Sequence, residues 1–191
     1  MRELPEILER IDAGGDRFGL ERLRLRFSNG VERTYERMAP RVRGAVVVAA
    51  MRDAETVLLI REYACGPHRY ELGLVKGRID AGETPEQAAN RELKEEAGFG
   101  AKTLTVLRAM TLAPSYMAHQ TWLVLAEDLY PERLPGDEPE PLDVVPWNLA
   151  ELDQLMLRED CSEGRSLAAM FIVREVLAAR AQGRTLPGLA Q

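Results

Sequence analysis

Hydrophobic and polar positions alternate or cluster in short runs through the first two thirds of the chain, and recur at helical spacing near its end. Phe18 to Phe27 sets Leu20, Leu23, Leu25 and Phe27 among arginines. Ser28-Asn29-Gly30 then carries the Asn-Gly signature of a tight hairpin, and Val31 to Met38 returns as a second strand. Val42 to Met51 is a continuous apolar run, the pattern of a strand buried on both faces. Arg52-Asp53-Ala54-Glu55 turns the chain into a β-rich run, Thr56 to Tyr63, which ends in the polar and aromatic Arg61-Glu62-Tyr63. Cys65 to Arg69 reads as a loop, and Tyr70 to Val75 leads out of it. Ala101 to Thr111 and His119 to Glu127 predict two further strands, joined by Leu112-Ala113-Pro114-Ser115-Tyr116. Tyr130 to Leu142 is rich in proline and acids and predicts irregular structure. Val144 to Trp147 predicts a short strand. Leu149 to Leu157 and Glu163 to about Ala181 predict helices, the second with Leu167, Met170, Phe171 and Val173 on its core side. Residues 1 to about 15 read as a loosely organised leader, and the tail from Gln182 as frayed.

Gly77 to Phe99, GRIDAGETPEQAANRELKEEAGF, interrupts the strands with a helix. Thr84 fits the N-cap, Pro85 the first helical position, and Gln87 can close a capping box. The helix should run to Ala97, where Gly98 supplies a left-handed cap. Ala89, Leu93 and Ala97 repeat every four residues along a face that can pack on a core. A helix between strands, followed by terminal helices, implies the α/β class: an α/β/α sandwich on a mixed sheet. The expected organisation is a β-hairpin extension over residues 1–41 and a main domain over 42–191. The extension fits a solvated strand pair or a dimerisation arm equally well.

Composition narrows the partners. The 191 residues carry a net charge of -6 and are 46% hydrophobic, enough for one sizeable core. This acidic balance argues against generic nucleic-acid or acidic-membrane binding. Cys65 and Cys161 are too few for a disulfide framework, and His68 and His119 stand isolated. The N-terminus lacks a signal-peptide core, and no apolar run approaches membrane-spanning length. A cytoplasmic protein is expected.

Glu92, Glu95 and Glu96 stand at i, i+3 and i+4 of the predicted helix, so three like charges crowd one face. Such a cluster is either a solvated acidic face or a set of hard oxygen ligands for a divalent cation such as Mg²⁺. The order Gly77, five residues, Glu83, seven residues, then Arg91-Glu92-Leu93-Lys94-Glu95-Glu96-Ala97-Gly98-Phe99 decides between them. That string matches every fixed position of the Nudix box, and the chain therefore resembles the Nudix hydrolases.

The resemblance implies the Nudix α/β/α fold and metal-dependent cleavage of a pyrophosphate bond. It implies Mg²⁺, with Mn²⁺ as the alternative. Glu92 and Glu96 are placed as direct ligands, and Glu95 as a further ligand or as the group that orients them. The backbone carbonyl of Lys76 completes the implied set. Gly77, Glu83, Arg91 and Gly98 take structural roles in the box, with Arg91 pairing Glu83. Box carboxylates such as Glu95 serve as general base in some Nudix enzymes, whereas the ADP-ribose hydrolases use a glutamate from a late loop. Asp137-Glu138-Pro139-Glu140 has the matching place, and Glu138 is preferred over Glu140.

Substrate class comes from outside the box. Pro114 lies fifteen residues past Phe99, where ADP-ribose-type members carry a proline. Arg61 and Glu62 resemble their residues near the terminal ribose or phosphate, and Tyr63, Tyr70 or Tyr116 could stack on adenine. RFSNGVERTYERM, LLIREYACG, YELGLVKG, APSY, DLYPERLPGDEPEPL and Trp147 are all similar to one bacterial subgroup that hydrolyses ADP compounds. That likeness implies ADP-ribose, NADH and diadenosine di- or triphosphate as substrates, AMP as product, and a homodimer joined through the N-terminal strands. Many ADP-ribose hydrolases place a glutamate directly before the box glycine. Here Glu71 stands six residues ahead of Gly77, and it is left out of the ligand set. The competing function, a Nudix-like sensor that binds ADP-ribose or NAD without cleaving it, is disfavoured because the box carboxylates are all present.

Overall fold

The computed structural model describes residues 6–14, 19–39, 44–184 and 186. Three strands, β1 (Glu6–Gly14), β2 (Leu20–Arg26) and β3 (Glu32–Met38), form a separate antiparallel sheet. Residues 6–14 are thus a paired strand and not a loose leader: β1 lies along β2 with Ile11 opposite Arg22, and arginine-glutamate pairs cross the strands. Such charge ladders carry no hydrophobic period, so the alternation that marks a strand was missing from the sequence. Phe18 lies outside the described residues. Gly30 turns the β2–β3 hairpin at φ 79°, a left-handed conformation open to glycine. On the β2 face opposite the exposed Leu20, Glu21 is buried beside Leu23 and bonded by Arg37.

The main sheet has seven strands. β4 (Ala45–Met51) pairs with β5 (Thr56–Ala64), which folds back as β6 (Arg69–Gly73); β7 (Val75–Arg78) then runs antiparallel to β4. The segment 40–43 lies outside the described residues, and β4 starts at Ala45, after Gly44. Arg69, expected in the loop, is the first residue of β6. Helix α1 (Pro85–Glu92) passes into a π turn (Leu93–Ala97) before β8 (Phe99–Thr111) and β9 (Gln120–Pro131) form an antiparallel pair. β9 closes parallel to β4, and β10 (Asp143–Asn148) adds to the far side of β5. The expected loop at 130–142 therefore starts later, since Tyr130 and Pro131 still pair with Gly100 and Phe99. The predicted helix at 149–157 shrinks to a 3₁₀ turn and the single-turn α2 (Leu152–Leu155), followed by α3 (Gly164–Ala181).

Side chains of β4 alternate between two cores. Val46, Val48 and Ala50 face Ala88, Ala89, Leu93 and Ala97 of the first helix. Val47, Ala49 and Met51 face Leu152, Leu155, Ala169, Met170 and Val173 on the other side. A sheet covered on both faces by helices is the α/β/α sandwich. At roughly 1.5–3 kcal/mol for each fully buried Val, this central strand contributes to both cores at once. On α3 the buried side is Ser166, Ala169, Met170, Val173, Val176 and Ala179. Phe171, expected inward, is half-buried and carries the Arg174 guanidinium 4.9 Å from its ring centroid. Among the described residues, no helix is long and apolar enough to cross a membrane.

A polar network fastens the α2–α3 connection to β5 and β6. Asp160 accepts from Arg158 and Arg61, both at 2.8 Å, and Glu71 accepts from Arg69 and from the backbone and hydroxyl of Ser162. The Arg158 and Arg61 guanidiniums hold the Asp160 carboxyl well below the usual carboxylate range. A depressed folded-state pKa stabilises the fold above the unfolded value and loses that contribution as pH falls. Asp160→Asn is therefore expected to cost about 1–2 kcal/mol at pH 7, with the difference from wild type only beginning to narrow at about pH 3, just below the ordinary carboxylate value. Urea unfolding at both pH values measures it.

Candidate active site

Local sequence sets the geometry of the first helix. Thr84 Oγ1 accepts from the Gln87 amide at 3.3 Å while Gln87 Oε1 accepts from the Thr84 amide at 2.9 Å, closing the capping box. The helix does not stay α to its end. From Leu93 the backbone widens into a π turn, and the Gly98 amide donates to the Leu93 carbonyl, five residues back. Gly98 closes it in the left-handed region at φ 76°. Single π turns inside helices concentrate at functional sites. This one holds Leu93 and Ala97 in the core while Glu95 and Glu96 share a cleft with Glu92.

Arg91 is the hub of the acidic cluster. Its guanidinium grips Glu83 at 2.8 and 3.0 Å, reaches the Arg78 carbonyl at 2.9 Å, and donates to Glu92 at 2.8 Å and Glu95 at 3.0 Å. The bonds from Arg91 keep the Glu83 carboxyl below its ordinary range. Arg91 thus fixes the loop before the helix and aims two of the helix carboxylates. Gly77 is required by close approach: a Cβ there would lie 1.8 Å from the Glu92 carboxyl carbon. Gly77→Ala should displace Glu92 or the β7 strand, lowering kcat about a hundredfold with roughly 1–3 kcal/mol lost from stability. Steady-state kinetics and thermal melts check both parts.

Glu96 is the buried member, 7% exposed, on the inner wall of the cleft. Among the described residues its one hydrogen bond is a 3.3 Å contact from the Lys76 amide. Burial pushes its pKa up to about 8, with Glu62 and Glu92 adding to the rise and Lys76 opposing it. Burial also raises Glu92. Among the described residues, no three His, Cys, Asp or Glu side chains already stand as a metal cage. The donor set nonetheless suits a hard divalent cation: it is all oxygen, and Glu96 is a buried carboxylate with little of its charge compensated.

The late loop closes the cleft. Its start is pinned to the π turn and its Gly98 cap by amide bonds, Glu132 to the Gly98 carbonyl and Leu134 to the Lys94 carbonyl, each 3.2 Å, and by the Lys94–Glu132 ion pair at 2.8 Å. A cavity of about 300 Å³ lies between Glu92, Glu95, Glu96 and residues 133–142. An adjoining cavity of about 400 Å³ extends it past Glu62, Lys76 and Arg78, and Glu138 lines both. Glu138 reaches solvent, yet partial enclosure by its loop and the charges of Glu62 and Asp137 hold its carboxyl above the usual range.

The other candidates divide. Glu62 faces the cleft and lies 3.7 Å from Lys76 Nζ. Glu140 lines the outer cavity but is engaged by the Tyr70 hydroxyl. Arg61 points instead into its ion pair with Asp160. Pro114 and Tyr116 lie outside both cavities; the Tyr116 carbonyl accepts from the Met38 amide at 2.7 Å, tying their loop to β3. Glu71 faces Ser162 and Arg69. No local pattern signals the Tyr70–Glu140 bond, because the two residues are seventy positions apart.

Comparisons with known proteins agree with this architecture. Residues 40–171 match the NUDIX domain family, and residues 5–37 match the NudE-type Nudix hydrolase N-terminal domain. The chain is 52% identical over 167 residues to ADP compounds hydrolase NudE of Escherichia coli (strain K12), covering 87% of this chain and 88% of that protein. It is 28% identical over 141 residues to an ADP-ribose pyrophosphatase of Bacillus subtilis (strain 168), covering 73% and 76%. A solved crystal structure of an ADP compounds hydrolase superposes with a TM-score of 0.85 at 48% identity, over 97% of this chain and 99% of that one.

Proposed function

As this chain belongs to the Nudix hydrolase family, we propose that it cleaves the pyrophosphate bond of ADP-linked compounds, namely ADP-ribose, NADH and diadenosine di- or triphosphate, releasing AMP. The observation that carries this reading is the single cleft shared by Glu92, Glu95, Glu96 and Glu138, in a chain so similar along its length to an ADP compounds hydrolase. Glu92, Glu96, Glu95 and the Lys76 carbonyl would hold Mg²⁺ or, in its place, Mn²⁺. The bound cation would neutralise charge on the diphosphate and lower the pKa of an attacking water.

Each residue then has a defined task. Glu138 accepts the proton of the water as its oxygen attacks phosphorus, and the bridging P–O bond breaks toward the second phosphate. The raised pKa of Glu138 brings its basicity closer to neutral pH, where a general base works best. Arg91 keeps Glu92 and Glu95 aligned. Glu62, at the mouth of the cleft, suits hydroxyl recognition on the terminal ribose. Arg61, Pro114 and Tyr116 stand apart from the cleft within one chain, so any contact they make with substrate requires rearrangement or a second subunit. The separate N-terminal sheet exposes Ile7, Ile11, Leu20 and Tyr35, which suits a homodimer arm. The proposed setting is cytoplasmic, with neither nucleic acid nor membrane as partner.

Incubation with Mg²⁺ and ADP-ribose, NADH, diadenosine triphosphate or dGTP, followed by product chromatography, tests the substrate assignment. AMP from the three adenylated compounds, with dGTP cleaved far more slowly, is expected. Tight binding of ADP-ribose without any cleavage would support the sensor instead.

A further inference from the structure

We propose that Tyr70 is a positioning residue for the reaction: its hydroxyl clasps Glu140 and thereby holds the 132–142 loop with Glu138 turned into the carboxylate cleft. This inference rests on the assignment of Glu138 as general base. Between its pinned start at Leu134 and the first residue of β10, Asp143, the loop makes no other hydrogen bond or ion pair among the described residues. Its middle is therefore fastened at one point, and that point is two residues from Glu138.

Both sides of the clasp are built to be firm. Pro139 and Pro141 flank Glu140 and fix their own φ angles, so a constraint on Glu140 is passed to Glu138 with little slack. Tyr70 stands on β6 directly opposite Tyr63 of β5, whose ring meets it edge-on at 5.9 Å. The Tyr63 hydroxyl is in turn bonded to His68 Nδ1 in the β5–β6 turn. The anchor thus belongs to the rigid sheet while the load belongs to an irregular loop. The Glu140 carboxylate also raises the Tyr70 phenol above its ordinary pKa, which keeps the hydroxyl a donor throughout the neutral range.

Tyr70→Phe removes the donor and leaves the ring packing intact. It is expected to lower kcat on ADP-ribose about tenfold while KM stays within about twofold. Glu140→Ala should lose as much, and Glu140→Gln, which keeps a carbonyl acceptor, should recover most of that loss. The double variant Tyr70→Phe/Glu140→Ala should be no slower than either single change, since both break the same bond. Wild-type kcat in Tyr70→Phe, losses that multiply in the double variant, or an effect confined to KM would each overturn the clasp. Tryptic cleavage after Arg133 in the substrate-free protein supplies a readout independent of catalysis. Cleavage should quicken in Tyr70→Phe and Glu140→Ala and stay at the wild-type rate in Glu138→Gln. Full activity in Glu138→Gln would remove the base assignment while leaving the cleavage pattern to stand, whereas unchanged cleavage in Tyr70→Phe would remove the clasp alone.

Discussion

Replacing Glu96 with Gln is expected to lower kcat by about three orders of magnitude, roughly 4 kcal/mol of transition-state stabilisation, with the fold intact. The substitution is nearly isosteric, so the packing around the π turn survives. What disappears is the charge of the carboxylate that is most buried and least compensated by the protein itself. Stability moves the other way. Burial holds the folded-state pKa of Glu96 near 8, against about 4.5 in the unfolded chain. Such a group stabilises the fold fully below the lower value, and that contribution is lost as pH rises through the higher one. The metal-free Glu96→Gln protein should consequently melt at or above the wild-type temperature at pH 8. Wild-type turnover in the Glu96→Gln enzyme, or a collapsed fold, would refute the assignment.

Glu138→Gln is the second large effect, a fall in kcat of about 10²–10³-fold with KM nearly unchanged. Glu138 has no hydrogen-bond partner among the described residues and lines both halves of the cleft, so its removal leaves no buried group stranded. A structural residue at this position would instead show a stability loss. The kcat profile of wild type should carry a basic-side plateau and an acid limb set by Glu138, and the variant should lose that limb. A change in KM alone would move Glu138 from proton transfer to substrate binding.

These expectations show which parts of the molecule were legible in its sequence. The sandwich was readable because β4 is apolar at every position and Ala89, Leu93 and Ala97 repeat at helical spacing. The capping box and the Gly98 terminator likewise follow from local chemistry that needs no tertiary context. β1 was not readable, since its charged residues leave no hydrophobic period and its pairing is with β2, as far along the chain as Arg26 opposite Glu6. Nor was the π turn, because no residue type specifies one. The spacing of Glu92, Glu95 and Glu96 put them on one helical face, and the fold gathers them in one cleft. The diversion of Arg61 to Asp160 and of Glu140 to Tyr70 depends on residues ninety-nine and seventy positions away, contacts that only the folded chain reveals.

Metal-dependent hydrolysis at Glu96 is read from the rate of AMP release from ADP-ribose as free Mg²⁺ is raised from zero, in wild type and in Glu96→Gln. Without the cation no release is expected in wild type, then a saturating rise as it is added, and no comparable rise in the variant at any concentration. AMP released at the full rate in the presence of a chelator, or the same Mg²⁺ response in both proteins, would contradict it.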